Sequence, residues 1–255
     1  MRDSDNRIQR IWILAKHDFL QRYYGSSLGV IWAFLNPIFR LAIYYFVFAF
    51  LIFKNRDPDF VLYLYLGVMP WTFFAESTKR GMKVFNNKRY LIENIQIAKY
   101  DLFIAHIVSV AFALAFNMAI YFIFRLFFDV ELTLHVLWLP WLLLNLICVG
   151  FLASITLSTI FLFIRDLDHV WDILLMAMFW TVPIIWDQRV IFDHYSFMLY
   201  INPLTGIVIN IREVLLYGRH PVYDLLLYDL AFTLILAAGS LLIFKRYAKY
   251  AAELR

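Results

Sequence analysis

Hydrophobic positions in this chain gather into six long runs, at about residues 28–53, 60–77, 102–128, 132–164, 169–186 and 222–244, with charged residues collected between them. An α-helix needs about 20 apolar residues to cross a hydrocarbon layer about 30 Å thick, and each run is near or beyond that length. The pattern predicts an all-α integral membrane protein, a single domain over residues 1–255 with six transmembrane helices. The fourth run is longer than a straight crossing needs, so it tilts, kinks or projects from the bilayer.

The segments outside the runs have patterns of their own. Over residues 5–24, Ile8, Ile11, Trp12, Ala15, Phe19 and Tyr23 recur at helical spacing, with Arg10, Lys16 and Arg22 among the residues between them. This predicts an amphipathic helix in the membrane interface, its basic residues facing lipid phosphates; a helix packed on a partner protein has the same period. Gly25-Ser26-Ser27-Leu28-Gly29 supplies a flexible corner into the first run, and its GxxxG spacing is a weak dimer signal at the edge of a span. The segment 78–101 is polar and basic, with a faint helical period through Tyr90, Leu91, Ile95 and Ile97. It reads either as a short cytoplasmic helix or as a solvated, lipid-attracting loop. The segment 187–221 is too apolar for a free loop, and Asn202-Pro203 interrupts it. Two short helices dipping back into the outer half of the membrane, buried against the bundle, would satisfy its backbone groups.

Composition changes the picture in one respect. At 63% hydrophobic, 16% charged and a mean hydropathy of +0.70, the chain lies far outside the soluble globular range. The net charge of +4 is a matter of topology and anionic lipid, not of nucleic acid. Sixteen Lys and Arg residues fall on one side of the six-run topology and six on the other, which predicts that both termini are cytoplasmic. No short apolar region with an Ala-x-Ala site directly follows MRDSDNRIQR, so the first run is expected to be the insertion signal. A lone cysteine, Cys148, excludes an intrachain disulfide and a CxxC metal site.

Catalytic signatures are missing. No glycine opens a GxxxxGK[ST] phosphate loop, so any ATP and Mg would belong to another chain; there is no HExxH pair and no GxSxG elbow. Asp166-Leu167-Asp168 matches the DxD pattern of metal-bound sugar nucleotides and equally a tight charged turn. Three features inside the runs invite function. Arg40 falls near mid-membrane, with Asp229 and Glu76 as available counter-charges, either as a structural ion pair or as a substrate contact. Trp32, Phe39, Phe46 and Phe53 form a seven-residue stripe, and Trp171, Phe179 and Trp186 come close to one. Aromatic planes stack on the C–H faces of sugar rings, so such stripes suit a path for a moving glycan; ordinary helix packing yields them too.

Asp18, Arg22, Tyr23, Ser26, Leu28, Gly29, Trp32, Leu35, Asn36 and Pro37, then Pro183-Ile184, then Asn202-Pro203-Leu204 with Arg212 and Leu216, together resemble the membrane subunit of ABC-2 type exporters. The closest branch is the polysaccharide and lipid-linked O-antigen (Wzm-type) one, related to teichoic-acid and capsule exporters. The resemblance implies a homodimer joined to two copies of a separate ABC ATPase, in the plasma (inner) membrane of a bacterium or archaeon. It implies an undecaprenyl-linked glycan as substrate and no cofactor in this chain. It places a coupling helix near residues 86–98, so that Asn87, Lys88, Arg89, Tyr90, Glu93 and Asn94 would meet the ATPase. It also places gate helices in the outer segment, where Tyr195, Tyr200, Asn202, Pro203 and Arg212 lie. The same fold exporting a drug or small lipid is the first alternative, and an integral membrane glycosyl- or acyltransferase using Asp166 and Asp168 the second.

Overall fold

The computed structural model describes residues 2–47, 59–95, 97–128, 130–248 and 250, apart from the side chains of residues 2–6, 40 and 44. Every regular element among the described residues is helical. Helix α1 (Arg2–Gln21) is followed by a 3-10 turn (Gly29–Ile31) and α2 (Trp32–Tyr44). Then come α3 (Phe60–Gly81), the short α4 (Val84–Asn87) and α5 (Arg89–Asn94), and α6 (Lys99–Phe124). Helices α7 (Leu139–Phe161) and α8 (Leu167–Thr181) precede three further pieces, α9 (Arg189–His194), α10 (Met198–Ile201) and α11 (Pro203–Leu215), and α12 (Tyr223–Tyr247) closes the order.

Among the described residues four helical stretches are long and apolar enough to cross a membrane: Gly29–Val47, Lys99–Phe127, Leu134–Phe161 and Tyr223–Tyr247. The two remaining expected spans differ for separate reasons. Helix α3 has 22 residues, but Tyr63, Tyr65, Thr72, Glu76, Ser77 and Thr78 dilute its hydropathy. Its surroundings explain why they are tolerated, since α3 is enclosed by α2, α6, α7, α8 and α11. Helix α8 has only 15 residues, a rise of about 22 Å. It stops at Thr181 because Pro183 forces the preceding Val182 into an extended conformation (φ −85°, ψ 136°). The expected continuous span 169–186 is therefore a helix followed by an irregular turn. Residues 48–53, the end of the first expected span, lie outside the described residues.

Close helix approach sets the centre of the bundle. Gly150 of α7 meets α3 so tightly that a Cβ there would lie 2.7 Å from Ser77 Oγ and 3.2 Å from Phe73 Cε1. The Ser77 carbonyl accepts from His106 Nε2 at 2.9 Å and from Ser154 Oγ at 2.8 Å, which joins α3, α6 and α7 through one buried oxygen. Helix α1 lies along α6. Its Ala15 and Phe19 are buried, Phe19 packs edge-on against Phe112, and Arg7 forks onto the buried carboxylate of Asp101 at 2.6–3.1 Å. Ile13 and Leu20 remain exposed on the opposite side, and Ile8, on the same face as Ala15, is exposed nearer the start of the helix.

Candidate functional site: an amphiphilic cavity beside α3

A cavity of about 510 Å³ opens between α2, α3, α6 and α8. Its inner part is apolar, lined by Trp32, Pro37, Val68, Met69 and Leu175, with a polar strip of Asn36, Tyr65, Thr72 and Asn117. The Tyr65 hydroxyl lies 3.0 Å from both the carbonyl and the side-chain oxygen of Asn117, which fixes part of that strip. At one end stand five charged side chains, Arg22, Glu76, Lys79, Arg80 and Asp172. A greasy pocket with hydrogen-bonding groups from α2, α3 and α6 and cations at one end suits an amphiphile whose head carries negative charge.

The mouth is internally compensated. Glu76 Oε1 accepts from Arg22 Nη1 at 2.8 Å and from Arg80 Nη1 at 3.1 Å. Lys79 pairs with Asp172 across to α8 at 2.6 Å. Arg22 also donates from Nη2 to Ser109 Oγ at 2.9 Å. Only 5% of its side chain is exposed, so this arginine, expected at lipid headgroups, turns into the protein. Burial lowers its guanidinium from the ordinary value, and Glu76 opposes the shift. Arg10 and Lys16, the other basic residues assigned to lipid, are exposed on α1. A smaller cavity of about 250 Å³ adjoins on the side of α4 and α5 and shares Arg22 and Arg80 with the first; Asp18, Asn87, Lys88 and His106 also line it.

The residues expected along a channel are only partly brought together. Trp32 lines the cavity, Phe39 packs against it at 6.5 Å between ring centroids, and Phe39 and Phe46 are exposed. The side chain of Arg40 and all of Phe53 lie outside the described residues. Helix α2 packs on α3 and α6, whereas α12, which carries Asp229, packs on α7 and α11. Asp229 instead sits against Gly206 of α11, and Glu76 is engaged by Arg22. Trp171 donates to Thr78 Oγ1 at 3.1 Å, Phe179 stacks edge-on with Trp71 at 5.6 Å, and both are half-buried on α3. Trp186 lies beyond the break after α8, in a separate cluster with Ile191 and Leu199. These three aromatics therefore do not share a stripe.

The segment 187–221 contains three helical pieces where two were expected, and α11 is buried along nearly its whole length. Asn202 and Pro203 explain its start: the Asn202 side chain accepts from Leu204 N at 3.1 Å as N-cap, and Pro203 occupies the first helical position. The Asn202 amide also donates to Met178 O at 3.2 Å and Thr181 Oγ1 at 2.9 Å, which ties α11 to the end of α8. Asn202→Ala should therefore cost about 1–2 kcal/mol, read as a lower melting temperature, and Asn202→Asp should not recover it, because it keeps the cap acceptor but turns the donating amide into a buried carboxylate oxygen facing Met178 O. Tyr195 and Tyr200 are about half exposed, and Tyr200 O accepts from Tyr228. Arg212 is wholly buried. It donates from Nε and Nη2 to Tyr63 O at 3.1 and 2.9 Å, from Nη2 to Ile184 O at 3.0 Å and from Nη1 to Pro183 O, with Cζ 3.5 Å above the Tyr63 ring centroid.

On the side of the charged mouth, α4 and α5 bury Val84, Phe85 and Ile92 against Phe103 and Phe244. Asn87, Tyr90, Glu93 and Asn94 are left exposed, and Arg89 pairs with Glu93. Lys88 pairs with Asp18 of α1, so the two short helices and α1 are linked by an ion pair. Asp168 is bonded by Lys83 at 2.6 Å, which holds its carboxyl below the ordinary carboxylate value. Among the described residues no group of three or more His, Cys, Asp or Glu side chains could hold a metal ion. Sequence reasoning missed the polar strip; Asn36 and Asn117, amides within apolar runs, were its available signal.

Long apolar helices packed around α3, with a cavity reaching inward from a charged mouth, define a multi-pass helical membrane protein. The family model "ABC-2 type transporter" matches residues 9–216, and the chain belongs to that family. It is similar to two proteins named O-antigen export system permease protein RfbA. One, from Klebsiella pneumoniae, is 28% identical over 215 residues, covering 81% of this chain and 80% of the relative. The other, from Myxococcus xanthus, is 24% identical over 242 residues, covering 94% and 93%.

Proposed function

We propose that the chain is the membrane-channel subunit of an ATP-driven exporter that carries a lipid-linked, O-antigen-like polysaccharide from the cytoplasm across the plasma membrane. Two copies form the conduit, each with six membrane-embedded helices, and two copies of a separate ABC ATPase bind the cytoplasmic side. In this reading α3 and α8 complete the six, α1 lies in the inner interface, and α9–α11 enter the outer half of the bilayer. The chain breaks no bond; ATP and Mg belong to the partner.

The cavity beside α3 is the observation that carries this reading. Its apolar interior suits a prenyl chain, its polar strip and Trp32 suit hydroxyl-rich rings, and its mouth of Arg22, Lys79 and Arg80 suits a phosphorylated linkage. The names of the relatives point to the same cargo class. Mechanically, nucleotide binding would move α4–α5, and the Lys88–Asp18 pair would pass that motion to α1 and so to the cavity mouth beside Arg22.

Gel analysis of surface polysaccharide in a deletion strain tests the cargo. Loss of the long-chain glycan, restored by the wild-type chain, is the expected result. A normal glycan profile with altered resistance to drugs would favour the small-molecule exporter of the same fold.

A further inference from the structure

Two arginine–carboxylate contacts in this protein differ in quality. Arg7 meets Asp101 through Nε and Nη2, a fork that uses both carboxylate oxygens. Such bidentate pairing is how a guanidinium is saturated when a contact is structural. Arg22 is the more deeply buried of the two arginines, yet Glu76 offers it only Oε1, and that oxygen is shared with Arg80. Arg22 Nε is buried with no hydrogen-bond partner. A buried, unpaired donor on a cation is costly, and nothing in the packing of Glu76 on α3 relieves it. The Arg22–Glu76–Arg80 cluster also adjoins both cavities: Arg22 and Arg80 line each of them, and Glu76 lines the larger.

We propose that Glu76 is a placeholder for the substrate's anionic head. Its carboxylate occupies Arg22 and Arg80 in the empty site and is displaced when a phosphoryl group, which offers several oxygens to the same two guanidiniums, arrives between the cavities. This rests on the reading of the larger cavity as the site of a phosphorylated lipid. Glu76 then acts as a specificity residue. A neutral amphiphile cannot displace it and leaves the cations paired, whereas a diphosphate replaces one shared oxygen with a bidentate acceptor and frees Glu76 to turn toward the exposed edge of the mouth, where 27% of its side chain already meets solvent.

The test is equilibrium binding of radiolabelled undecaprenyl diphosphate, and of undecaprenol as the uncharged probe, to the full-length chain with its ATPase in phosphatidylcholine nanodiscs. Removing the competing charge in Glu76→Gln should tighten diphosphate binding about tenfold and leave undecaprenol unchanged. Arg22→Gln should weaken diphosphate binding about tenfold, and the double variant should bind more tightly than Arg22→Gln by less than the tenfold gain of Glu76→Gln alone, because only Arg80 is left to be freed. If Glu76→Gln lowers the yield of folded protein, Glu76→Asp, which withdraws the carboxylate by one methylene, should still tighten binding by a smaller factor. Diphosphate affinity that falls or stays constant in both Glu76 variants, while Arg22→Gln still weakens it, overturns the placeholder and leaves the headgroup site standing. Equal affinity for the two probes, unaffected by Arg22→Gln, overturns the headgroup reading itself.

Discussion

Arg212→Met is expected to lower the melting temperature of the detergent-solubilised protein by on the order of 10 °C and to abolish export. Arg212 spends its donors on the carbonyls of Tyr63, Pro183 and Ile184, and its flat face lies on the Tyr63 ring. Pro183 and Ile184 follow the end of α8, outside any helix, so when the guanidinium goes Ile184 O loses its buried donor and Pro183 O keeps only the long contact from the Tyr63 hydroxyl at 3.4 Å. Among the described residues no carboxylate lies within ion-pair distance of it, so the cation is held mainly by carbonyl dipoles and a ring quadrupole, with Asp187 acting on it only from beyond ion-pair distance. A thioether fills much of the space but offers no donor, and the loss should amount to about 3–5 kcal/mol. Arg212→Lys keeps the charge without the fork and should recover only a fraction. Gly67→Ala probes the same contact from α3: its Cβ would collide with Arg212 Nη2 and come within 3.1 Å of Ile184 Cα, at a cost of about 1–3 kcal/mol. An unchanged melting temperature in Arg212→Met would mean that α11 is held by its apolar contacts alone.

Tyr90→Ala is expected to reduce co-purification of the ATPase partner by about thirtyfold or more, with no change in the stability of the chain itself. Tyr90 is 70% exposed on α5, whose other face is anchored by Ile92 and Phe85. An exposed aromatic on a short, firmly seated helix is the kind of residue that supplies 2 kcal/mol or more to an interface. Lys88→Met separates docking from transmission. It removes the ion pair with Asp18 and should leave ATPase binding near normal while lowering glycan-stimulated hydrolysis. Both variants are checked by pull-down and ATPase assay on the same preparations. Full ATPase binding by Tyr90→Ala would shift the contact to another part of the chain.

Most of what was legible in the chain came from periodicity and length. The runs 102–128, 132–164 and 222–244 are long and apolar enough to announce their helices whatever surrounds them, and α6, α7 and α12 occupy them. The helical period through Ile8, Trp12, Ala15 and Phe19 has its counterpart in α1, and the Asn202-Pro203 break marks the start of α11 through its cap. Partner choice was less legible. Glu76 and Asp229 both offered themselves to Arg40 by depth along the chain, but depth does not say which helices are neighbours. Glu76 meets Arg22, 54 residues away, because α1 returns along α6 beside α3. The stripe of Trp171, Phe179 and Trp186 assumed a helix that runs on, and Pro183 ends it at Thr181. The role of Arg212 depends on the carbonyls of Pro183 and Ile184, which the break after α8 sets free, and on Tyr63 O of α3, a meeting that no local pattern encodes.

ATP hydrolysis by the purified chain reconstituted with its ATPase, with and without lipid-linked glycan, tests the central claim most directly. The account predicts a stable complex whose hydrolysis rises severalfold with the glycan lipid and does not respond to undecaprenol. Absence of a stable complex, or hydrolysis indifferent to the glycan lipid, would contradict it.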